Sequence, residues 1–369
     1  MTRRCPPATG VASTESPSEG RGSAVAAEGM QSLLQSDLDA VPAGVPTRLL
    51  EGRRIMTVCH ENPEADALGS ALAVALALEV RGARVNAVCA DPVPPMYDFM
   101  PQIERFQQAP EPDLDPDLIV VCDCGDLERT GAVLAENAEL FERVPIVDID
   151  HHISNPLFGE IDWVDAEAAA TCEQVSLLLP HLGVGFDALG GDITQNLTAG
   201  LVIDTANFQH PNTTPRTLRV ASELVAAGAE LPMIARRIYR TKPNAQLRLF
   251  GRVLARLESS ADGRLAWSVV DDADYSAAGA TQQMSEGLID LLAQSATAEV
   301  AILFKDVGAQ TRISVRTRDG GVDATALTGI FGGGGHARAA GATVDRPIAE
   351  AQLAVLEVTR KLLAEVAPR

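Results

Sequence analysis

Along the first two-thirds of the chain, apolar positions come in unbroken blocks rather than in alternation with polar ones. RIMTVC (54–59), RVNAVCA (84–90), DLIVVCD (117–123) and VPIVDID (144–150) are such blocks, and the last two end in aspartate. Continuous apolar runs of this length predict strands buried on both faces. Between them, SALAVALALEVRGA (70–83) is apolar nearly all round, which predicts a buried helix. AATCEQVSLLLPHL (169–182), DITQNLTAGLVI (192–203) and TPRTLRVASELVAAGA (214–229) predict further helices. This order predicts an α/β domain: a parallel sheet with helices on both faces.

Past residue 240 the pattern changes. A charge-rich helical stretch near 244–260 reads as a connector, and ADG at 261–263 breaks it. LAWSVV (265–270), VAILFKDV (300–307) and RISVRTR (312–318) then predict strands around a helix at 284–294, a smaller α+β domain. The expected division is 30–240 for the first domain, 241–262 for a helical linker and 263–369 for the second, with a cleft between the domains. Residues 1–29 are rich in Pro, Ser, Gly, Ala and Thr without an apolar period and are expected to be disordered. Met30 opens a weak amphipathic helix, MQSLLQSDLDAV. There is no internal repeat.

Charge narrows the function. Thirty Lys and Arg stand against 50 Asp and Glu, a net charge of −20. A protein coating long nucleic acid needs an extended basic face for counterion release, so that class is excluded. A small phosphorylated substrate held by metal ions and a few arginines is not. The six cysteines, among them the CDC of 122–124, lack the spacing of a CxxC pair, so they are expected to be buried thiols of a reducing cytoplasm. No run approaches the roughly 18 apolar residues of a membrane helix. MTRRC at the start lacks the apolar core of a secretory signal, and a cytoplasmic protein is expected.

Five polar stretches carry the chemistry. HENPEADALGS (60–70) follows the first strand and places His60, Glu64 and Asp66 on one loop. Its carboxylates have a plainer use in capping the helix that follows, but that accounts for one acid only. Asp123 ends a buried strand, where an unpaired carboxylate is costly unless it meets a cation. Asp126 and Arg129 suit a pair on the next turn. Asp150-His151-His152 stand in a row after the fourth strand, where open α/β sheets place their ligands, although a polar turn there is equally ordinary. Asp204 ends a helix, against the dipole, while His210 reads as a loop histidine. Last, GIFGGGGHARAAGA (329–342) has Gly332, Gly333, Gly334 and Gly335 followed by His336 and Arg338, and follows a strand carrying Arg316 and Arg318. Backbone N–H groups freed by glycine suit an anion.

His60, Glu64, Asp66, Asp123, His151 and Asp204 supply two imidazoles and four carboxylates. That exceeds one tetrahedral zinc and suits a pair of ions such as Mn²⁺ or Mg²⁺, an arrangement fitted to hydrolysis of phosphate esters. Asp123, between the flanking loops, is the candidate bridge. His152 remains to contact the phosphate or protonate the leaving oxygen.

These stretches, in this order, resemble the DHH phosphoesterase superfamily with its DHH-associated C-terminal domain, and within it the branch that degrades short RNA and dephosphorylates 3'-phosphoadenosine-5'-phosphate (pAp). The resemblance covers about 47–342. It implies a two-metal Mn²⁺ centre, with Mg²⁺ or Co²⁺ as substitutes, and a homodimer. It implies that His60 and Glu64 hold one ion and Asp66 and His151 the other, with Asp123 bridging and Asp204 completing the set. Asp150 then orients a histidine, and Arg316 with the Gly332–His336 run grips the substrate. Glu64 stands where the family pattern H-x-N-P-D-x-D has its first aspartate, and the added methylene puts the affinity of that metal position in question. Two other readings are open: a phosphodiesterase of cyclic or linear dinucleotides such as c-di-AMP and pApA, and a nucleotide-binding module without activity. Inorganic pyrophosphatase fits less well, because GGGGH replaces the basic stretch expected there.

Overall fold

The computed structural model describes residues 36–318 and 320–366. The expectation of disorder over 1–29, the first residues of the helix opened by Met30, and Cys5 lie outside them. The chain forms two compact units, divided between Thr241 and Lys242.

The first unit holds a five-stranded, wholly parallel sheet of β1 (Arg54–Val58), β2 (Arg84–Val88), β3 (Leu118–Cys122), β4 (Ile146–Asp150) and β5 (Ile161–Val164). Alternate residues of each run serve opposite faces, which is why the runs are apolar throughout. From β3, Leu118, Val120 and Cys122 join the core on one face; there lie the helices α1 (Ala65–Val80), α2 (Thr171–Leu178) and α3 (Asp192–Asp204). Ile119 and Val121 pack on the other face with Val133 and Phe141 from two short helices. α1 is buried almost along its whole length, so its lack of an amphipathic period follows from having no solvent face.

The strand order is β2-β1-β3-β4-β5. The direction of winding reverses between β1 and β3, and in doubly wound sheets the crevice outside the carboxyl ends at that point is where ligands bind. His60 follows β1 and Asp123 follows β3. Helix α4 (Pro215–Ala226) begins with a capping box in which Thr214 and Thr217 satisfy each other's backbone.

The second unit starts with α5 (Asn244–Leu254), the stretch expected to connect the domains. Leu249, Phe250 and Val253 of α5 are buried with Val270, Tyr275, Leu288 and Leu303, so it packs as part of this unit's own core. Its sheet is mixed, in the order β10-β11-β9-β8-β7-β6, with β6 (Glu258–Ser259), β7 (Leu265–Val270), β8 (Val300–Asp306), β9 (Thr311–Thr317), β10 (Gly334–His336) and β11 (Ala339–Val344). Only β7 and β8 run parallel. The helices α6 (Asp272–Ala278) and α7 (Leu288–Leu292) lie with α5 on one face, and α8 (Ala324–Gly329) and α9 (Ile348–Glu365) on the other. No helix among the described residues is long and apolar enough to cross a membrane.

Candidate metal centre

The polar residues singled out in the first unit converge on the carboxyl end of its sheet. His60 is 3% exposed; its Nδ1 donates to the Glu61 carbonyl at 2.6 Å. That leaves Nε2 facing Glu64 Oε1 at 3.1 Å and Asp123 Oδ2 at 3.6 Å. Glu64 occupies the N-cap position of α1 yet makes no capping bond. The capping alternative therefore does not explain it, and its longer side chain reaches the histidine.

Asp66 does cap a helix, but not its own. Fully buried, it accepts from the backbone N–H groups of Thr171 at 2.7 Å and Cys172 at 2.8 Å, at the start of α2. Those donors, more than 100 residues away, fix the carboxylate. Gly200 on α3 makes the approach possible: a Cβ there would lie 2.6 Å from Asp66 Oδ1 and 2.3 Å from Cys172 Sγ. α3 can thus end on Asp204, whose Oδ2 is 3.2 Å from His151 Nε2.

Asp123 joins the parts. Its backbone is left-handed, φ +56°, a conformation that costs energy for a residue with a Cβ and clusters at functional sites. One oxygen, Oδ1, accepts from Thr171 Oγ1 at 3.1 Å and lies 3.4 Å from His151 Nε2. The other, Oδ2, is buried with no hydrogen-bond partner. Each oxygen therefore faces a different imidazole.

The third stretch divides its labour. His151 directs Nδ1 at the Ala168 carbonyl, 3.3 Å away, and Nε2 at Asp123 and Asp204. Asp150 is fully buried; its Oδ1 accepts from the His151 backbone N–H at 2.8 Å and from His152 Nδ1 at 2.7 Å. Its Oδ2 accepts from Asn155 Nδ2 at 2.8 Å, and the same amide also reaches Asp148 Oδ2 at 2.8 Å. His152 is the one-third exposed member of the pair.

Burial and charge pull against each other here. Burial lowers the affinity of His60 and His151 for a proton, but carboxylates outweigh it: Asp123 and Glu64 lift His60 to about 10, and Asp123 and Asp204 lift His151 to about 12. Asp123, despite its burial, is held far below the usual carboxylate range by those two imidazoles. Burial raises Glu64, Asp66 and Asp204. A pocket with this surplus of negative charge is fitted to a divalent cation. His60, Glu64 and Asp123 offer ligand atoms within 4.8 Å of one another, and so do Asp66, His151 and Asp204. With Asp123 turning its unpartnered Oδ2 toward His60 of the first set and Oδ1 toward His151 of the second, the residues fit metal ions.

Three residues of this region carried no signal in the motifs. Thr171 and Asn155 touch the centre directly or through Asp150; only the position of Asn155, three after the paired histidines, could have marked it. Asn212 donates to the carbonyls of Ala169 and Asp204, at 3.0 and 3.2 Å. Asp126 caps the short helix Leu127–Thr130 by accepting from Glu128 N, and His210 stays in its loop with Nδ1 3.2 Å from the Asp204 carbonyl. The five cysteines described are free and buried.

In the second unit the glycine run is less of a free loop than its composition suggests. Gly334–His336 form strand β10 beside β11. A Cβ on Gly333 would lie 2.2 Å from the Gly341 carbonyl, and one on Gly335 2.6 Å from that of Ala339, so close strand packing requires both. Gly332, at φ +74°, makes the turn into the strand, and Gly334 faces open space. Arg316 donates from Nε to Asp290 Oδ1 at 2.9 Å. A cavity of about 330 Å³ is lined by Gly333 together with Lys305, Arg312 and Ser314, and Arg316 is not among its lining residues.

The sequence has counterparts among known proteins. Residues 54–203 match the DHH family, N-terminal domain, and residues 263–365 match the DHHA1 domain. The bifunctional oligoribonuclease and PAP phosphatase NrnA of Thermus thermophilus is 32% identical over 310 residues, 84% of this chain and 90% of that one. The protein of the same name from Bacillus subtilis is 26% identical, covering 77% and 87%. An exopolyphosphatase-related protein from Bacteroides fragilis shares the fold, with a TM-score of 0.76 at 22% identity over 88% of this chain and 95% of that one. Carrying both domains in this order, with such a relative matched along most of its length, the chain belongs to the DHH family of metal-dependent phosphoesterases.

Proposed function

We propose that the protein hydrolyses short oligoribonucleotides to mononucleotides and removes the 3'-phosphate of pAp, using two divalent ions, with Mn²⁺ the ion expected and Mg²⁺ or Co²⁺ as substitutes. The observation that carries the two-metal reading is Asp123, whose two oxygens face different imidazoles, one of them buried and unpartnered. His60, Glu64 and Asp123 would hold one ion, and Asp66, His151, Asp204 and Asp123 the other. When bound, such ions supply Lewis-acid charge stabilisation and a nucleophilic hydroxide at neutral pH. The substrates follow from the names of the similar Thermus and Bacillus proteins.

The chain's own residues do the rest. Asp150 holds the His152 ring by Nδ1, which leaves Nε2 to contact the phosphate or to give a proton to the leaving oxygen. Thr171 fixes the rotamer of Asp123. In the second unit, the substrate is bound by Arg316, Gly332, Gly333, Gly334, Gly335 and His336, joined by Lys305 and Arg312, which give the cavity beside Gly333 the positive charge a phosphate requires.

The test is an activity panel. Purified protein loaded with Mn²⁺ is given pAp, RNAs of two to five nucleotides, c-di-AMP and pApA. Release of phosphate from pAp and of mononucleotides from RNA is the expected result. No release from either, with metal shown bound, overturns the reading; faster turnover of the dinucleotide messengers would put those in its place.

A further inference from the structure

Residues 236–242 read RRIYRTK, four cations in seven positions of a chain with net charge −20. None of them belongs to the metal centre or to the cavity beside Gly333. Arg236–Arg240 form a π-helical turn, an irregularity found frequently at functional sites. Ile238 is buried and anchors the turn, while Arg236, Tyr239 and Arg240 are exposed. Arg237 is already engaged, paired with Asp98 and stacked 5.3 Å from the centre of the Phe99 ring. Arg236 and Arg240 have no ion pair and no side-chain hydrogen bond among the described residues.

Tyr239 ties this turn to the metal centre. Its hydroxyl donates to the carbonyls of Val202 at 3.1 Å and Ile203 at 3.2 Å, in the last turn of α3 immediately before Asp204. The ring, 39% exposed, is thus fixed beside the end of the helix that supplies a metal ligand. A rigid aromatic face on the same turn as two unpaired, exposed guanidiniums is the combination that binds single-stranded nucleic acid without regard to sequence. The base stacks on the ring, and the phosphates meet the arginines.

We infer that Tyr239, Arg236 and Arg240 form a subsite for a further nucleotide of a short RNA, beyond the one at the reacting phosphate. The inference rests on the oligoribonuclease reading above. Because pAp carries a single nucleoside, this subsite contributes nothing to its hydrolysis. The subsite therefore separates the two proposed activities.

Two readouts test it on the full chain with Mn²⁺. The first is hydrolysis of a trinucleotide and of pAp by Arg236→Ala/Arg240→Ala, Tyr239→Ala and Tyr239→Phe. Removing the ring or both arginines is expected to lower kcat/KM on the trinucleotide by about tenfold to a hundredfold, chiefly through KM, while Tyr239→Phe keeps the ring and most of the activity. Equal losses on both substrates, or none on the trinucleotide, overturn the subsite. The second readout is binding of a fluorescently labelled trinucleotide by anisotropy, which does not depend on turnover. Should the wild type hydrolyse neither substrate, the functional reading fails, and unchanged binding in Tyr239→Ala and the double arginine variant still rejects the subsite. If sedimentation shows that the double arginine variant changes oligomeric state while its RNA binding stays intact, the turn is an interface between copies and the inference is wrong.

Discussion

In the candidate metal centre four of the six ligand side chains are braced by a second contact: Asp66 by two N–H groups, Asp123 by Thr171, His60 and His151 by backbone carbonyls. The cavity of the second unit is built differently. Its walls include backbone that only glycine permits, and Lys305 and Arg312 stand directly opposite each other on β8 and β9. Like charges in that register destabilise a sheet, and burial together with Arg312 pushes the Lys305 ammonium down. One region carries an unneutralised surplus of negative charge and the other of positive charge. A metal ion would relieve the first and a phosphate the second, which is the division between chemistry and recognition proposed above.

The contrast breaks most easily at Asp123. Asp123→Asn keeps the shape and removes the charge that the two proposed metal positions would share. Activity should fall on the order of a thousandfold or more, and elemental analysis should show metal lost; an active, fully loaded variant would end the bridging role. Asn155→Ala sharpens the first half of the contrast. Freed from its amide, Asp150 should hold His152 loosely, lowering kcat by roughly ten- to a hundredfold with metal content unchanged. Lys305→Ala or Arg312→Ala tests the second half: KM should rise about tenfold for each cation removed, with kcat and bound metal unaffected. A fall in kcat instead would move those residues into the chemistry.

A last effect bears on stability and not on turnover, and concerns Asp148. Burial, against the hydrogen bond from Asn155, raises its carboxyl to about 8 from an ordinary 3.8. The folded state therefore keeps a proton that the unfolded state has lost between those values, and stability declines as pH rises through that window. Asp148→Asn should remove this slope, which is at most about 1.4 kcal/mol per pH unit. Denaturant melts of both proteins at pH 5 and pH 8 will show it. A gain no larger at pH 8 than at pH 5 would mean the carboxyl is already ionised in the fold.

The chemistry was legible where residue type alone announces it. The runs ending at Cys122 and Asp150 are apolar because both faces of the sheet are covered, and acids at their ends are conspicuous against that background. Brevity and partial exposure concealed β5: IDWV has one buried residue and no continuous run. β10 and β11 were hidden by glycine and alanine, which read as loop although their small size is what lets the strands lie so close. α9 lies outside the elements predicted above, despite buried positions at 351, 355, 356, 359 and 363 that follow an ordinary helical period. The contact of Thr171 with Asp123 joins segments 48 residues apart, which no local spacing encodes, whereas Asn155 lies five residues from Asp150 and only its place after the histidines marks it.

The bonds from Thr171 and Cys172 to Asp66 have one more consequence. They belong to the framework and not to any ion, so the Asp66 carboxylate is expected to keep its place when metal is stripped, and the protein to be refilled without unfolding. Mixed nitrogen and oxygen donors rank divalent ions in an order set by the metals themselves, so availability decides which one such a site holds. The metal recovered with a given preparation would then report the supply available to the growing cell rather than a choice made by the protein.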